Sequence, residues 1–101
     1  MLPLSHTDWV IMARFYSALH YVDAVLASTP GIPGGYHPKS HRKREFLITH
    51  STILKPLAKS YMHLHQRCDD VRYDLMNIPP SDIEPKFEDV KKRTRALLGQ
   101  P

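Results

Sequence analysis

The sequence is short of cysteine and lacks any long apolar run. Its 101 residues include one cysteine, Cys68, so no disulfide can form within the chain, and a reducing compartment suits it. No apolar stretch approaches the about 18 residues that a membrane span needs, and the start lacks the basic and apolar regions of a signal peptide. We therefore expect a cytoplasmic protein with no membrane association.

The composition is that of one globular domain covering residues 1–101. A chain of this length has room for a single modest core. Apolar residues make up 42% and charged residues 24%, proportions that argue against a disordered chain. The net charge of +4 and the pI near 9.4 are mildly basic, so the position of the charges matters more than their sum.

Apolar periodicity predicts helices and no convincing strand. Four segments are expected to be helical, at about 7–28, 40–49, 53–75 and 81–98. The predicted capping residues are Ser5 or Thr7 for the first helix and Ser81 or Asp82 for the last. Pro56 is tolerable only near the first turn of the third helix, and Gly99 closes the fourth. Three prolines and three glycines make residues 29–38 a loop.

Each predicted helix carries an apolar face. The residues expected on these faces are Trp9, Met12, Phe15, Tyr16, Leu19, Val22, Val25 and Leu26 in the first helix, Phe46, Leu47 and Ile48 in the second, Leu54, Leu57, Tyr61, Leu64, Cys68, Val71 and Leu75 in the third, and Ile83, Phe87, Val90, Thr94 and Leu97 in the fourth. The fold class is therefore all-α, an up-and-down bundle of about four helices. Because so small a bundle buries limited area, we expect a homodimer that associates through the first helix.

A basic stretch follows the loop, at residues 34–44. It holds Lys39, Arg42, Lys43 and Arg44 together with His37 and His41. Positive charge at the start of a helix is unfavourable for the helix dipole, unless an anion binds there. A phosphate or a nucleic-acid backbone is the first candidate; the competing interpretation is an ordinary solvated surface.

The first helix carries a polar trio, Tyr16, His20 and Asp23, at spacing i, i+4 and i+7 on one face. A carboxylate one turn from an imidazole fixes its tautomer and prepares a general acid or base. The alternative is a partly buried His20 whose hydrogen bonds are satisfied by Asp23 within the core.

Other polar groups favour structural roles. The charges of the third helix alternate in sign at helical spacing, which stabilising pairs within the helix explain, and Lys91 and its neighbours on the last helix are expected on the solvated surface. With one cysteine, and with Pro38 between His37 and His41, a structural zinc site is improbable, and no metal or cofactor is expected.

Three segments together resemble the HEPN superfamily. They are Arg14-Phe-Tyr-Ser-Ala-Leu-His20-Tyr-Val-Asp23-Ala, Gly35-Tyr-His37-Pro-Lys-Ser-His41-Arg-Lys-Arg44 and Cys68-Asp-Asp-Val-Arg72-Tyr73-Asp. In that superfamily an aromatic-rich helix leads through a Gly/Pro loop to a short helix that begins near a His. A long helix with an acidic and Arg-Tyr ending then follows. Five residues separate Arg14 from His20, which is similar to the Arg and His spacing of its ribonucleases.

The resemblance implies a dimeric helical bundle that binds RNA or a nucleotide. It also implies a possible metal-independent ribonuclease activity or a part in a toxin–antitoxin system. The catalytic candidates are Arg14, His20 and Asp23. The candidates for binding phosphate or nucleic acid are His37, Lys39, His41, Arg44, Arg72 and Tyr73. Residues six apart lie about 120° apart around a helix, so Arg14 and His20 reach one ligand only at a helix edge or across a dimer.

A second hypothesis is a non-enzymatic interaction module, such as a helical partner that neutralises another protein. The same polar residues would then form a network that ties the basic stretch to the first and third helices. Whether His20, His41 and Arg44 converge on an open cleft, or are buried and satisfy one another, discriminates between the two functions.

Overall fold

Helices make up all the regular structure of the described residues. The structure is a computed structural model that describes residues 5–29, 40–73 and 77–99. Its elements are α1 (His6–Ser28), α2 (His41–His50), a 3-10 turn (Lys55–Leu57), α3 (Ala58–Arg72) and α4 (Pro80–Leu97). The predicted all-α bundle of about four helices is confirmed.

The first two helices begin at serine caps. Ser5 and Asp8 form a capping box at the start of α1: Ser5 Oγ accepts the N–H of Asp8 at 3.1 Å, and the Asp8 carboxylate accepts the N–H of Ser5 at 3.0 Å. Ser40 Oγ accepts the N–H of Lys43 at 3.2 Å and fixes the start of α2. Of the two caps expected for the first helix, Ser5 is the one used.

The last helix starts earlier than the sequence pattern indicates. The expected cap at Ser81 or Asp82 is wrong, because α4 begins at Pro80 and makes no side-chain cap hydrogen bond. A proline suits a first helical position, where the missing N–H would have had no partner within the helix. Gly99 ends α4 with φ at +72°, a conformation that glycine adopts without strain.

The third helix is shorter than its apolar pattern. Pro56 lies in the 3-10 turn, and the α-helix begins only at Ala58. All six seam residues that the structure describes are buried: Leu54, Leu57, Tyr61, Leu64, Cys68 and Val71. The seventh, Leu75, lies outside the described residues. The seam packs against α1 and α4, and the three helices share one core.

Polar contacts set the direction in which α3 and α4 pack. Ser60, near the start of α3, donates to Asp89 at 2.8 Å. Arg67, about two turns further along α3, donates to Asp82 at 3.0 Å. The order of the partners reverses along α4, so the two helices are antiparallel, as short connections in a bundle favour.

Four large side chains are exposed, although the sequence pattern assigns them to the apolar faces. They are Trp9, 58% exposed, Tyr16, 37%, Phe46, 57%, and Leu97, 46%. In α2, Ile48 is fully buried while Phe46 faces solvent, because this short helix packs on α3 and the 3-10 turn along one side only. The expectation that Phe46 is buried is therefore wrong.

By length and composition, α1 could cross a membrane. Its most apolar 18-residue window has a mean hydropathy of 1.2, and 44% of that window is buried within the bundle. The core helix of a soluble protein meets the same criterion, and α1 contributes residues such as Phe15, Leu19 and Val22 to the core. Packing therefore accounts for the apolar character of α1.

The two neighbouring residues of α2 should differ sharply in their effect on stability. Ile48→Ala leaves a cavity in the core and should lower the free energy of unfolding by about 2–5 kcal/mol. Phe46→Ala removes an exposed ring and should change it by no more than about 0.5 kcal/mol. Urea unfolding followed by circular dichroism measures both, and a loss for Phe46→Ala as large as that for Ile48→Ala would contradict the described burial.

Candidate functional site

A buried ion pair joins α1 to α2. Arg44 Nε donates to Asp23 Oδ1 at 2.6 Å, and Arg44 Nη2 donates to Asp23 Oδ2 at 2.9 Å. Both side chains are buried, with relative exposures of 6% and 5%. The two parallel hydrogen bonds give the geometry in which arginine binds a carboxylate most strongly. Arg44 is thus committed to a partner within the protein.

Tyr61 of α3 lies next to the Asp23–Arg44 pair. Burial lowers the pKa of Arg44, but the hydrogen bond and the charge of Asp23 outweigh it, so the pKa of the guanidinium is raised. Tyr61 is fully buried, and its hydroxyl lies close to the Arg44 guanidinium without a hydrogen bond of good geometry. Burial raises the pKa of Tyr61 despite the Arg44 charge nearby, so its hydroxyl stays protonated.

Two histidines lie side by side between α2 and α3. The ring centroids of His41 and His65 are 4.6 Å apart, and His65 stacks on Phe15 of α1 at 5.0 Å. Burial, His65 and Arg44 all lower the pKa of His41. A neutral imidazole is a weak ligand for phosphate, so this environment is unfavourable to the predicted phosphate contact of His41.

Carboxylates surround His65. Glu45 Oε1 lies 2.7 Å from His65 Nδ1, and Asp69 Oδ2 lies 3.6 Å from Nε2. The sequence pattern explains the Asp69 contact, which is an i, i+4 pair within α3, but the shorter contact comes from α2. Glu45 belongs to α2, so the spacing of residues within α3 could not indicate it as a partner of His65.

An aromatic and basic rim borders this cluster on the protein surface. Arg72 Nη1 donates to the Tyr16 hydroxyl at 2.8 Å, and the Arg72 guanidinium carbon lies 5.2 Å from the centre of the Tyr73 ring. Tyr73 is 68% exposed. The rim of Tyr16, Arg72 and Tyr73 is therefore open to a ligand, unlike the Asp23–Arg44 pair.

The second and more open feature is a groove between α1 and α4, with a volume of about 510 Å³. Its lining residues are Arg14, Ser17, His20, Tyr21, Ala24, Phe87, Lys91 and Leu98. We call it the α1–α4 groove. Arg14 and His20, which the motif spacing paired, both line it, since the groove follows one edge of α1. Lys91, which the sequence pattern assigned to the solvated surface, lines it from α4.

Arg14 is held in a fixed position beside this groove. Its Nε donates to Glu84 Oε1 at 2.9 Å, and its guanidinium carbon lies 4.7 Å from the centre of the Phe87 ring. Both partners belong to α4. Contact with an aromatic face attracts a cation, and the carboxylate fixes its orientation.

The structure separates His20 from Asp23. His20 is exposed on the groove side of α1, whereas Asp23 is buried against Arg44. Both interpretations of the trio are therefore wrong in this detail: among the described residues, Asp23 does not orient His20, and His20 is not a core histidine. Residues three apart lie only about 60° apart around a helix, so the boundary between the buried and the exposed face of α1 passes between His20 and Asp23.

The predicted site residues thus fall into three groups. Asp23, His41 and Arg44 belong to the interior cluster, and Arg72 and Tyr73 to its rim. Arg14 and His20 belong to the α1–α4 groove. His37 and Lys39 lie outside the described residues. Within the described ranges, no group of three or more His, Cys, Asp or Glu side chains could hold a metal ion.

Comparisons with known proteins give no match. No protein-family model, no curated protein and no solved structure matches this chain.

Removing one partner of the Asp23–Arg44 pair should destabilise the fold strongly. Arg44→Met leaves the Asp23 carboxylate buried without its guanidinium, a change that costs about 3–5 kcal/mol. The double variant Asp23→Leu/Arg44→Met should recover part of that loss, because it leaves neither charge in the core. Urea unfolding measures each free energy.

Arg93→Met is the matched control for this prediction. It breaks the exposed pair with Asp89, which spans 2.9 Å at the surface of α4, and should cost less than about 1 kcal/mol. Equal losses for Arg44→Met and Arg93→Met would contradict a structural role for the buried pair.

Proposed function

We propose that this protein is a HEPN-like domain that binds RNA or a nucleotide in the α1–α4 groove. The observation that carries the proposal is that Arg14, His20 and Lys91 line one open groove. Two of these residues come from the segment that resembles the superfamily, and the third adds a cation from another helix. Phosphate groups are the common anions that such a set of side chains binds.

The two cations of the groove differ in what they offer an anion. Glu84 holds Arg14 Nε and offsets part of its charge, while the terminal N–H groups of Arg14 make no hydrogen bond among the described residues. Lys91 makes no ion pair among those residues and brings a full positive charge on a flexible stem. We therefore expect Lys91 to contribute most to affinity and Arg14 to orient the phosphate.

Aromatic side chains near the groove suit a single strand. Tyr21, which is half-buried, lines it, and the exposed ring of Tyr73 belongs to the rim on the α3 side of α1. Tyr16 of that rim lies one helical turn from His20, so the two regions adjoin across the outer face of α1. Stacking of bases on such rings adds affinity without demanding a sequence.

If the bound RNA is cleaved, His20 is the general base that we propose. It would take the proton of a ribose 2′-hydroxyl, whose oxygen then forms a bond to the adjacent phosphorus while the bond from phosphorus to the 5′-oxygen breaks. A proton from water completes the leaving hydroxyl, and Arg14 would stabilise the charge on phosphorus. Asp23 takes no part in this proposal, because it is paired with Arg44.

Lys91→Ala should weaken RNA binding several-fold and reduce the salt dependence of binding by about one phosphate contact. Fluorescence anisotropy of a labelled single-stranded RNA across a salt titration measures both quantities. Lys92→Ala is the matched control, since Lys92 is the next residue on α4, is exposed and does not line the groove. Equal binding by wild type, Lys91→Ala and Lys92→Ala would contradict the proposed site.

Ribonuclease activity is tested separately from binding. Total RNA incubated with wild-type protein and chelator should be degraded, and His20→Ala should abolish the degradation while retaining most of the binding. Binding without degradation in either form would leave the binding proposal standing and exclude the catalytic one.

We also propose that the outer face of the first half of α1 pairs with a second copy. Its exposed residues include Trp9 and Ala13, while Asp8 is held in the capping box with Ser5 and Arg14 is turned towards α4. A surface helix usually carries charge on its outer face. Because each copy carries a net charge of +4, a face with little charge is the one through which two copies associate with least repulsion.

Ala13→Glu should convert the dimer to a monomer, because a two-fold axis places the new charge twice in one interface. Sedimentation velocity measures the change. Lys92→Glu, on the charged face of α4, is the control and should stay dimeric. A wild-type protein that is monomeric at high micromolar concentration would contradict this proposal.

The non-enzymatic alternative also has an observation in its favour. Arg44 is buried and satisfied by Asp23 instead of facing a cleft, as expected for a structural network. Absence of RNA binding together with an intact dimer would favour a protein-interaction module.

A further inference from the structure

Two adjoining grooves lie at the end of the bundle where α2 and α4 finish. The first, of about 520 Å³, is lined by Thr49, His50, Ser51, Thr52, Lys55 and Pro56. The second, of about 280 Å³, is lined by Ile53, Pro56, Arg93, Ala96 and Leu97. Pro56 lines both, so they form one continuous surface, which we call the bundle-end surface. It is separate from the α1–α4 groove.

The second groove has an aliphatic floor. Ile53 and Leu97 are each 46% exposed, although both are large and apolar. Leu97 continues the line of Ile83, Phe87, Val90 and Thr94, all buried, one turn beyond the core. The apolar stripe of α4 thus extends past the end of the bundle, where the described residues leave it half uncovered.

The bundle-end surface is also uniformly basic. The segments that build it, residues 46–60 and 90–99, contain no Asp or Glu. Of their basic residues, Lys55 and Arg93 line the two grooves, whereas Lys91 lines the α1–α4 groove. Asp89, the partner of Arg93, already accepts hydrogen bonds from Ser60 and Arg93. A ligand that covers this surface therefore needs to bring its own negative charge.

The first groove offers hydrogen-bonding groups beside that charge. His50 Nδ1 lies 2.8 Å from the carbonyl oxygen of Phe46, and since a carbonyl only accepts, Nδ1 carries the proton. The Phe46 ring stacks on the imidazole at 4.0 Å and holds it in place. The hydroxyl groups of Thr52 and Ser51 lie beside it in the same groove.

We propose that the bundle-end surface docks an acidic, aliphatic-rich peptide segment of another protein. Its carboxylates would accept hydrogen bonds from Lys55 and the Thr52 hydroxyl, and a Leu or Ile side chain would enter the groove of Ile53 and Leu97. Charge complementarity supports this occupant over a second copy of the chain, whose identical end is equally basic. The floor lined by Ile53, Ala96 and Leu97 has no aromatic ring, and the Phe46 ring beside the first groove is already stacked on His50, so an aliphatic side chain fits this surface better than a base does.

A random dodecapeptide library displayed on phage tests the proposal on the full chain. The enriched peptides should combine Asp or Glu with Leu or Ile. One enriched peptide, synthesised with a fluorescent label, then gives the affinity by anisotropy. Lys55→Glu and Leu97→Ser should each weaken its binding at least about tenfold, through the charge and through the aliphatic contact.

Arg42→Glu is the matched control, because Arg42 is exposed at the opposite end of α2. It should bind the peptide as wild type does. His20→Ala should also bind the peptide as wild type does, so a failure of the RNA proposal would not affect this test. Both surface variants need the thermal stability of wild type, and since Lys55 is exposed and Leu97 half exposed, we expect them to keep it.

Several outcomes would overturn the proposal. They are the absence of enriched peptides, enrichment of basic or purely polar ones, and affinity that either surface variant leaves unchanged. Loss of labelled RNA binding in Leu97→Ser would instead assign the bundle-end surface to nucleic acid.

Discussion

The bidentate pair of Asp23 and Arg44 is the interaction on which the arrangement of this small bundle depends. The backbones of α1 and α2 make no close approach, since α2 packs on α3 and the 3-10 turn. The long side chain of Arg44 spans that gap and binds a carboxylate placed five residues before the end of α1. A buried charge is costly without its partner, so the pair specifies where α2 lies against α1. The stack of Phe15, His65 and His41 then forms beside it.

Because Arg44 is paired with Asp23, the proposed ligand sites lie elsewhere on the molecule. The basic stretch around Arg44 was the first feature of the sequence to indicate an anion, yet its most enclosed cation neutralises the protein's own carboxylate. Other cations line the α1–α4 groove and the bundle-end surface. The groove combines cations with the ring of Tyr21 and is the site proposed for RNA, whereas the bundle-end surface combines cations with aliphatic side chains and is the site proposed for an acidic peptide. Both surfaces are basic, and they differ mainly in the uncharged side chains that line them.

Periodicity was sufficient for the helices and insufficient for the site. The α3 seam from Leu54 to Val71 is buried as predicted, because a step of three and four residues has one structural solution in a small bundle. Arg14 and His20 share a groove as their helix-edge geometry allowed. Spacing did not predict the environments of His20 and Asp23. The packing of other helices against α1 leaves His20 in solvent and buries Asp23. Spacing also failed for Lys91, since no pattern within α4 reveals which of its charges faces α1.

The sequence by itself determined the all-α class, the approximate positions of the helices and, as one of two alternatives, the Ser5 cap of the first. These features follow from local hydrogen bonding and from the period of the helix, which operate over a few neighbouring residues. The tertiary structure alone decided which polar groups became partners and which apolar residues stayed exposed. Asp23 and Arg44 are 21 residues apart, and Arg14 and Glu84 are 70 apart. Contacts over such separations depend on how helices pack, and packing is a property of the whole chain.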